Sequence, residues 1–200
     1  MKLFIKPGAC SLSPHIISRE AGLNLEVERV VDGKTASGVD FRSINPKGYV
    51  PTLQLDDGQV LTEGAVIVQY LADQKPEAKL APKAGTLERY RLQEWLVYIA
   101  TELHKGYSPL FRKGPEEALK TAKDALVAKL GFVNKHLEKH QFLLGDGFTA
   151  ADAYLFTVTS WSKHVGIDLV PFPALSSFLE RTAKRPAVHA AMLAEGLIKN

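Results

Sequence analysis

The chain has a single cysteine, Cys10, in the segment Lys6-Pro7-Gly8-Ala9-Cys10-Ser11, and a helical pattern begins directly after it. Backbone N–H groups at a helix start favour negative charge, so this position favours a thiolate. The effect brings a thiol pKa of about 8.5 toward about 7 to 8. A cysteine that serves only packing is the competing interpretation. One cysteine cannot form an internal disulfide, which is consistent with a reducing compartment.

Further polar residues occur at positions that suit ligand chemistry. Glu63-Gly64 opens a helix, where the glycine lets an anion approach the N–H groups and Glu63 offers a carboxylate to a cation. An acid that merely complements the helix dipole is the alternative. His104 and Lys105 lie opposite the apolar positions of a later helix, and a solvated helix face is the plain interpretation.

Two other patterns predict structure rather than chemistry. Thr149 and Asp152 form a Ser/Thr-x-x-acid capping box, whose loss costs about 1 kcal/mol of stability. His136 and His140 are four residues apart on one helix face, but no third ligand has a recognisable spacing. We therefore expect no metal site.

The elements that carry these residues follow two successive patterns. The first 74 residues alternate as β-α-β and then β-β-α, and Asp57-Gly58 predicts a type I′ hairpin turn. Prolines and a glycine within residues 75–85 predict a linker, placed at 79–85. Helical periodicity then continues from residue 86, with an apolar stripe formed by Leu92, Trp95, Leu96, Ile99 and Leu103. We predict an α/β domain over residues 1–78 and an all-α helical-bundle domain over 86–200.

Composition excludes several classes of function. Hydrophobic residues make up 46% and charged residues 24% of the chain, which is ordinary for a globular protein. No apolar run reaches the roughly 18 to 20 residues of a membrane helix, and the N-terminal segment lacks a signal-peptide core. The net charge is +3 without any basic run, so we expect no nucleic-acid and no membrane partner. The cytoplasm is the expected compartment.

Five segments, in this order, resemble the bacterial beta-class glutathione transferases: residues 6–11, 45–51 (Asn-Pro-Lys-Gly-Tyr-Val-Pro), 61–64, 100–106 and 148–152. The resemblance covers essentially the whole chain. It implies a thioredoxin-like domain, an all-helical domain and a homodimer. It also implies conjugation of glutathione to small hydrophobic electrophiles, with peroxidase and thiol-exchange side reactions. Glutathione is then a co-substrate, and no cofactor is expected.

The resemblance assigns the sulfur chemistry and the backbone contact to the first domain. Cys10 either hydrogen-bonds the glutathione thiolate or forms a mixed disulfide with glutathione. Ser11 is the competing residue, because other transferase classes use a serine hydroxyl at this corner. Val50-Pro51 implies a cis-proline turn, which leaves the Val50 backbone to pair with the cysteinyl part of glutathione.

The resemblance also implies which residues bind the charged groups of glutathione. Glu63, beside Gly64, takes the γ-glutamyl ammonium. Lys34, expected in the loop after the second strand, takes the glycyl carboxylate. On the helical domain, His104 and Lys105 reach the site of the other subunit, where His104 contacts the sulfur and Lys105 a carboxylate.

The electrophile pocket and the exact activity stay more open. Candidate pocket residues are Ile5, Tyr107, Phe111 and Trp161. Two positions depart from the family pattern: Ile5 stands where many members have tyrosine, and Val97 where members often have an asparagine that contacts glutathione. The alternatives are a non-catalytic interaction protein of the same fold and a specialised lyase, reductive dehalogenase or etherase.

Overall fold

The computed structural model describes residues 1–199, whose contacts divide them into two units. Unit 1 comprises Met1–Ala81 together with residues 185–199, and unit 2 comprises Pro82–Lys184. The strands are β1 (Lys2–Ile5), β2 (Glu26–Val31), β3 (Lys34–Thr35), β4 (Thr52–Gln54) and β5 (Val60–Thr62). The helices are α1 (Leu12–Glu20), α2 (Gly64–Asp73), α3 (Leu87–Tyr98), α4 (Lys105–Tyr107), α5 (Glu116–Leu137), α6 (Ala150–Thr159), α7 (Pro173–Ala183) and α8 (Pro186–Glu195).

Unit 1 contains a single sheet with the strand order β3-β2-β1-β4-β5. β1 and β2 run parallel, and all other neighbouring strands are antiparallel. The sequence correctly predicts the β-α-β and β-β-α order but misses β3, since a two-residue strand has too few positions to show alternation. Lys34, expected in a loop, therefore lies on this edge strand.

The hairpin between β4 and β5 is confirmed, but its turn type is not the predicted one. Gln54 pairs with Val60, and the Gly58 N–H donates to the Leu55 carbonyl at 3.0 Å. Gly58 has φ of 85°, whereas Asp57 is not among the residues with positive φ. A type I′ turn needs two such residues. The structure instead has a longer loop that ends in one left-handed glycine.

The core of unit 1 lies between the sheet and its helices. Leu3, Ile5 and Leu53 of the sheet, with Ile16 and Ile67 of the helices, are at most 1% exposed. Burying an aliphatic side chain of this size contributes about 1.5 to 3 kcal/mol. A second cluster of Phe4, Val30 and Phe41 lies against the partly buried Ile44 and Val50. This packing fixes the ends of β1 and β4, where the candidate site residues begin.

The last helix, α8, is grouped with unit 1, whereas the predicted boundary places it in the helical domain. Arg185 contacts both carboxylate oxygens of Glu20 at 2.6 and 2.9 Å, which ties α8 to the end of α1. Near the other end of α8, buried Glu195 bonds to His15 of α1 at 2.9 Å. An apolar helix pattern gives no information about which neighbour the helix packs against, so the sequence did not reveal this grouping.

The regular elements of unit 2 are helices, as predicted, and an isolated bridge joins Phe142 to Gly145 in the loop between α5 and α6. Four of the five predicted stripe residues, Leu92, Leu96, Ile99 and Leu103, are 0% exposed, and Trp95 is half-buried. Every residue of α6 is buried, and Thr149 and Asp152 form the predicted capping box at its start. Within residues 1–199, no helix has both the length and the apolarity required to span a membrane. The predicted fold class, an α/β domain with an all-α domain, is confirmed.

Candidate functional site

The cysteine loop between β1 and α1 is closed by the side chain of Ser11. Its hydroxyl oxygen accepts from the Lys6 N–H at 3.0 Å and donates to the Lys6 carbonyl at 3.1 Å. Ser11 is 0% exposed. Because the one hydroxyl proton is already donated, Ser11 has none to offer to a sulfur in this conformation. In this conformation the Ser11 hydroxyl closes the loop through both of its bonds to Lys6.

Cys10 is half-buried at the corner of the same loop. Its Sγ atom donates to the Val50 carbonyl at 3.3 Å, which brings the cysteine and the cis-proline segment together. The Val50–Pro51 peptide bond is cis, as the resemblance implied. The Val50 N–H has no hydrogen-bond partner among residues 1–199. A thiol and an available backbone donor therefore lie side by side at one end of β4.

The start of α1 differs from the simple expectation of unused N–H groups beneath the thiol. The Leu12 N–H donates to the Ala9 carbonyl at 3.0 Å, and the Ser13 N–H to the Cys10 carbonyl at 3.2 Å. Pro14 contributes no N–H at all. These two N–H groups are therefore already used, which leaves the helix dipole as the expected source of any thiolate stabilisation by α1.

A buried carboxylate holds the other side of the cysteine loop. Glu195 accepts from the Gly8 N–H at 2.9 Å and contacts the His15 ring nitrogen Nδ1 at the same distance. Arg19 donates to His15 Nε2 at 3.0 Å, so the three side chains form one network. Gly8 has φ of 72°, a conformation that suits glycine. These contacts link residues up to 187 positions apart, so local sequence patterns carry no signal for them.

The second candidate cluster lies where β5 passes into α2. Glu63 has φ of 70°, unusual for a residue other than glycine, and its side chain is 68% exposed. Such strained backbone positions are concentrated at functional sites. Gly64 lies against Pro51, since a Cβ added to it would be 3.6 Å from the proline Cγ. Glu63 and Gly64 thus adjoin the cis-proline segment.

Lys47 is a residue of this cluster that the sequence did not single out. Its Nζ atom is 3.1 Å from Glu63 Oε1 and 3.0 Å from Thr62 Oγ1. Lys47 lies inside the segment 45–51 that resembles the family, but the sequence gave no reason to prefer it to other surface lysines. Lys34 lies elsewhere, on β3 at the edge of the sheet opposite β5. No hydrogen bond or ion pair joins Lys34 to the other candidate residues in the described part of the chain.

In unit 2, His104 ends a π-helical turn, Ile99–His104, that follows α3. The face prediction assumed a regular α-helix, and the wider turn changes the direction of each residue. His104 is consequently half-buried against its own unit: its Nδ1 is 2.7 Å from the Tyr154 hydroxyl, and its ring packs on Trp161 at 5.1 Å. Lys105 is exposed, as expected.

The aromatic pocket candidates of unit 2 form one cluster around Trp161. The Tyr107 and Phe111 ring centroids lie 5.7 and 5.8 Å from that of Trp161. Phe111 is 53% exposed, whereas Tyr107 is 0% exposed and its hydroxyl bonds to Ser162 at 2.6 Å. Burial raises the Tyr107 pKa to about 12. Tyr107 therefore packs against Trp161 as a buried residue and does not itself line an open surface.

The fourth pocket candidate, Ile5, lies in unit 1. It is a core residue with only 1% of its surface exposed.

The described part of the chain contains no group of three or more His, Cys, Asp or Glu side chains arranged to hold a metal ion. His136 Nε2 lies 3.0 Å from the Leu143 carbonyl, and burial lowers the His136 pKa.

Comparison with known proteins gives the family. Residues 8–74 match the model of the glutathione S-transferase N-terminal domain, and residues 98–186 match that of the C-terminal domain. Glutathione S-transferase GstA of Escherichia coli O157:H7 is 48% identical over 200 residues, covering 98% of this chain and 100% of the relative. The chain belongs to the glutathione S-transferase family.

Solved structures place it more closely within that family. A sphingomonad glutathione S-transferase complexed with glutathione has a TM-score of 0.96 at 44% identity, covering 99% of this chain and 100% of the other. A bacterial beta-class glutathione S-transferase of Sphingomonas chungbukensis has a TM-score of 0.95 at 47% identity, with the same coverage. The resemblance to the bacterial beta class is thereby confirmed.

Proposed function

We propose that this protein joins the glutathione thiolate to small hydrophobic electrophiles. The single observation that carries the proposal is the 3.3 Å contact between Cys10 Sγ and the carbonyl of Val50, beside the cis Pro51. An extended peptide that pairs with the Val50 backbone brings its own cysteinyl sulfur to this corner. Glutathione is a peptide of that kind.

The charged groups of unit 1 suit the remaining parts of glutathione. Glu63 binds the γ-glutamyl ammonium. Gly64 has no side chain, so a carboxylate of glutathione can approach the start of α2. Lys34 is the proposed partner of the glycyl carboxylate, which has to extend toward the β3 edge of the sheet to meet it.

At the sulfur, we assign the contact to Cys10 rather than to Ser11. The Ser11 hydroxyl proton is donated to Lys6, whereas Cys10 presents its thiol at the corner. His104 and Lys105 are proposed to act on the glutathione of the other subunit of a homodimer. The Trp161 and Phe111 rings supply an apolar surface for the electrophile. We propose the cytoplasm as the compartment.

A thiol-exchange reaction is a second candidate function, favoured by the same half-buried cysteine. In it, the Cys10 thiolate attacks a disulfide of glutathione, the Cys10–glutathione disulfide forms, and one glutathione thiolate leaves. Peroxidase activity, a specialised dehalogenase or etherase activity, and a non-catalytic interaction role are the further alternatives to be separated by experiment.

The test has two stages. The protein should be retained on glutathione resin and eluted by free glutathione, and it should then accelerate conjugation in a panel of aryl halides, epoxides and activated alkenes. A panel of aryl ethers and halogenated phenols distinguishes an etherase or dehalogenase. Failure to bind the resin contradicts the proposal, and binding without turnover of any electrophile supports the non-catalytic alternative.

A further inference from the structure

The ion pair between Lys47 and Glu63 places a cation beside the carboxylate that the proposed function assigns to glutathione. Lys47 Nζ lies 3.1 Å from Glu63 Oε1, and a second bond to Thr62 Oγ1 at 3.0 Å steadies it. The two side chains are 54% and 68% exposed. A pair so exposed contributes little to folding, since such pairs are worth about 0 to 1 kcal/mol. Removing Lys47 should therefore change folding stability little.

The backbone of Lys47 is held by a hydrogen bond to Asn45, whereas its side chain is half-exposed. Asn45, only 2% exposed, accepts from the Lys47 N–H at 3.1 Å. The Asn45 side chain also donates to the Tyr49 carbonyl and to Thr52 Oγ1, each at 2.9 Å. The loop that carries Lys47 is thus attached to the start of β4, and the half-exposed side chain extends from it toward the start of α2.

The γ-glutamyl end of glutathione carries an ammonium and a carboxylate on the same carbon atom. A site with Glu63 alone attracts the first group and repels the second. At the start of α2, the Val66 and Ile67 N–H groups already donate to the Glu63 carbonyl at 3.0 and 2.9 Å. The Gly64 and Ala65 N–H groups remain to meet that carboxylate, and a cation beside the helix start further offsets the repulsion that Glu63 imposes on it.

We propose that Lys47 binds the α-carboxylate of the γ-glutamyl group while Glu63 binds its ammonium. This inference rests on the proposed function, in which Glu63 receives that ammonium. The existing ion pair opens, and the zwitterion enters between its two charges, so that positive and negative groups alternate. One exposed ion pair is thereby replaced by two that share a ligand.

The competing interpretation is that Lys47 is only the counterion of Glu63 in the absence of ligand. In that case Lys47 competes with the ammonium of glutathione, and its removal strengthens binding. The two interpretations predict opposite signs for the same substitution. They also differ in whether the effect depends on the ligand carboxylate.

The experiment measures binding by calorimetry for wild type and Lys47→Met, with two ligands. One is glutathione, and the other is 4-aminobutyryl-cysteinylglycine, which keeps the ammonium but lacks the α-carboxylate. We expect Lys47→Met to weaken glutathione binding about three- to tenfold and to change binding of the analogue less than twofold. Unchanged or tighter glutathione binding, or an equal loss for both ligands, overturns the inference.

Two further variants serve as controls. Lys75→Met removes the same charge from a lysine that is 45% exposed and lies 3.8 Å from Glu77, and it should leave binding of both ligands within twofold of wild type. Lys47→Arg should restore most of the affinity for glutathione. If wild-type protein gives no binding heat with glutathione, the proposed function itself is wrong and the role of Lys47 falls with it. If wild type binds and Lys47→Met equals it, only the Lys47 inference is wrong.

Discussion

Cys10 and Ser11 are neighbours in the chain, but their side chains have different hydrogen-bond partners. Ser11 has both hydrogen bonds directed at Lys6, deep in the loop, while Cys10 faces the carbonyl of Val50. General principles lead us to expect two opposite effects at the sulfur: a helix dipole favours a thiolate, whereas the Val50 carbonyl accepts a hydrogen bond only from the thiol. The sequence predicted the first effect from position alone. The second depends on a contact across 40 residues, which no local pattern shows.

Oxidised glutathione should add one glutathionyl group per subunit, visible by intact mass and removable by reductant. Cys10→Ala should abolish the adduct, because the chain has no other cysteine. Ser11→Ala should still form it, while losing about 1 to 3 kcal/mol of stability, because the Lys6 backbone groups lose their buried partner. If wild type forms no adduct, Cys10 is a packing residue and the sulfur contact falls to Ser11, whose hydroxyl then has to turn away from the Lys6 carbonyl.

Glu63→Ala should weaken glutathione binding by about 1 to 1.5 kcal/mol in calorimetry, or roughly tenfold. The expected loss is modest because the carboxylate is 68% exposed and already paired with Lys47. Glu77→Ala, which removes a 72% exposed carboxylate beside Lys75, is the matched control and should have no effect. A change below twofold for Glu63→Ala excludes Glu63 from the site.

At the scale of elements, the capping box of α6 and the turn after α3 mark the limits of sequence reasoning. Thr149 and Asp152 were predictable because their interaction spans three residues. Asp152 also accepts a hydrogen bond from the Leu143 N–H at 2.8 Å. Leu143 lies in the loop before α6, so the buried Asp152 side chain joins that loop to the helix. By contrast, nothing in residues 99–104 reveals their π-helical turn, so the contacts of His104 with Tyr154 and Trp161 were not predicted.

Asp152→Ala should cost about 2 to 4 kcal/mol in urea unfolding, more than the about 1 kcal/mol of a simple cap. The larger cost follows because the Leu143 and Thr149 N–H groups lose their acceptor in a buried setting. Asp168→Ala, which removes an exposed acceptor of the Val170 N–H, is the control and should cost less than about 1 kcal/mol. Equal losses for the two variants contradict this joining role of Asp152.

Burial also raises the Asp152 pKa from its ordinary 3.8 to about 6. Between these values the folded state binds the proton and the unfolded state does not, so this group's contribution to stability falls as pH rises from about 4 to 6. Asp152→Asn removes the titration. The unfolding free energy of wild type minus that of the variant should therefore decrease over this window by up to about 3 kcal/mol. A difference that rises with pH shows that the carboxylate ionises more readily than its burial predicts.

At the scale of the whole molecule, the sequence predicted two domains, and the contacts group α8 with the first of them. The assembly of two chains stays a prediction. On α3, the exposed residues Leu87, Tyr90 and Val97 fall within about 80° of one another at 100° per residue. Their exposures are 65%, 59% and 58%. An apolar stripe on the outer side of a helix, in a chain expected to form a homodimer, is a suitable contact for the second copy.

Light scattering at micromolar concentration should give about twice the 22.0 kDa mass of one chain. Tyr90→Glu should shift this toward the monomer, because it buries a charge in the contact. Val170→Glu, at a residue that is 82% exposed in unit 2 but outside α3, should leave the dimer intact. A stable monomer with full transferase activity excludes a site completed by the other subunit.

The position of α8 in unit 1 has a consequence for how the protein is made. A ribosome releases Gly8 early, but the carboxylate that holds its N–H arrives 187 residues later, with Glu195. Throughout the intervening synthesis, the α1 surface around His15 lacks the helix that covers it in the finished chain. The bond that Glu195 makes with the cysteine loop can therefore form only after unit 2 has been synthesised in full.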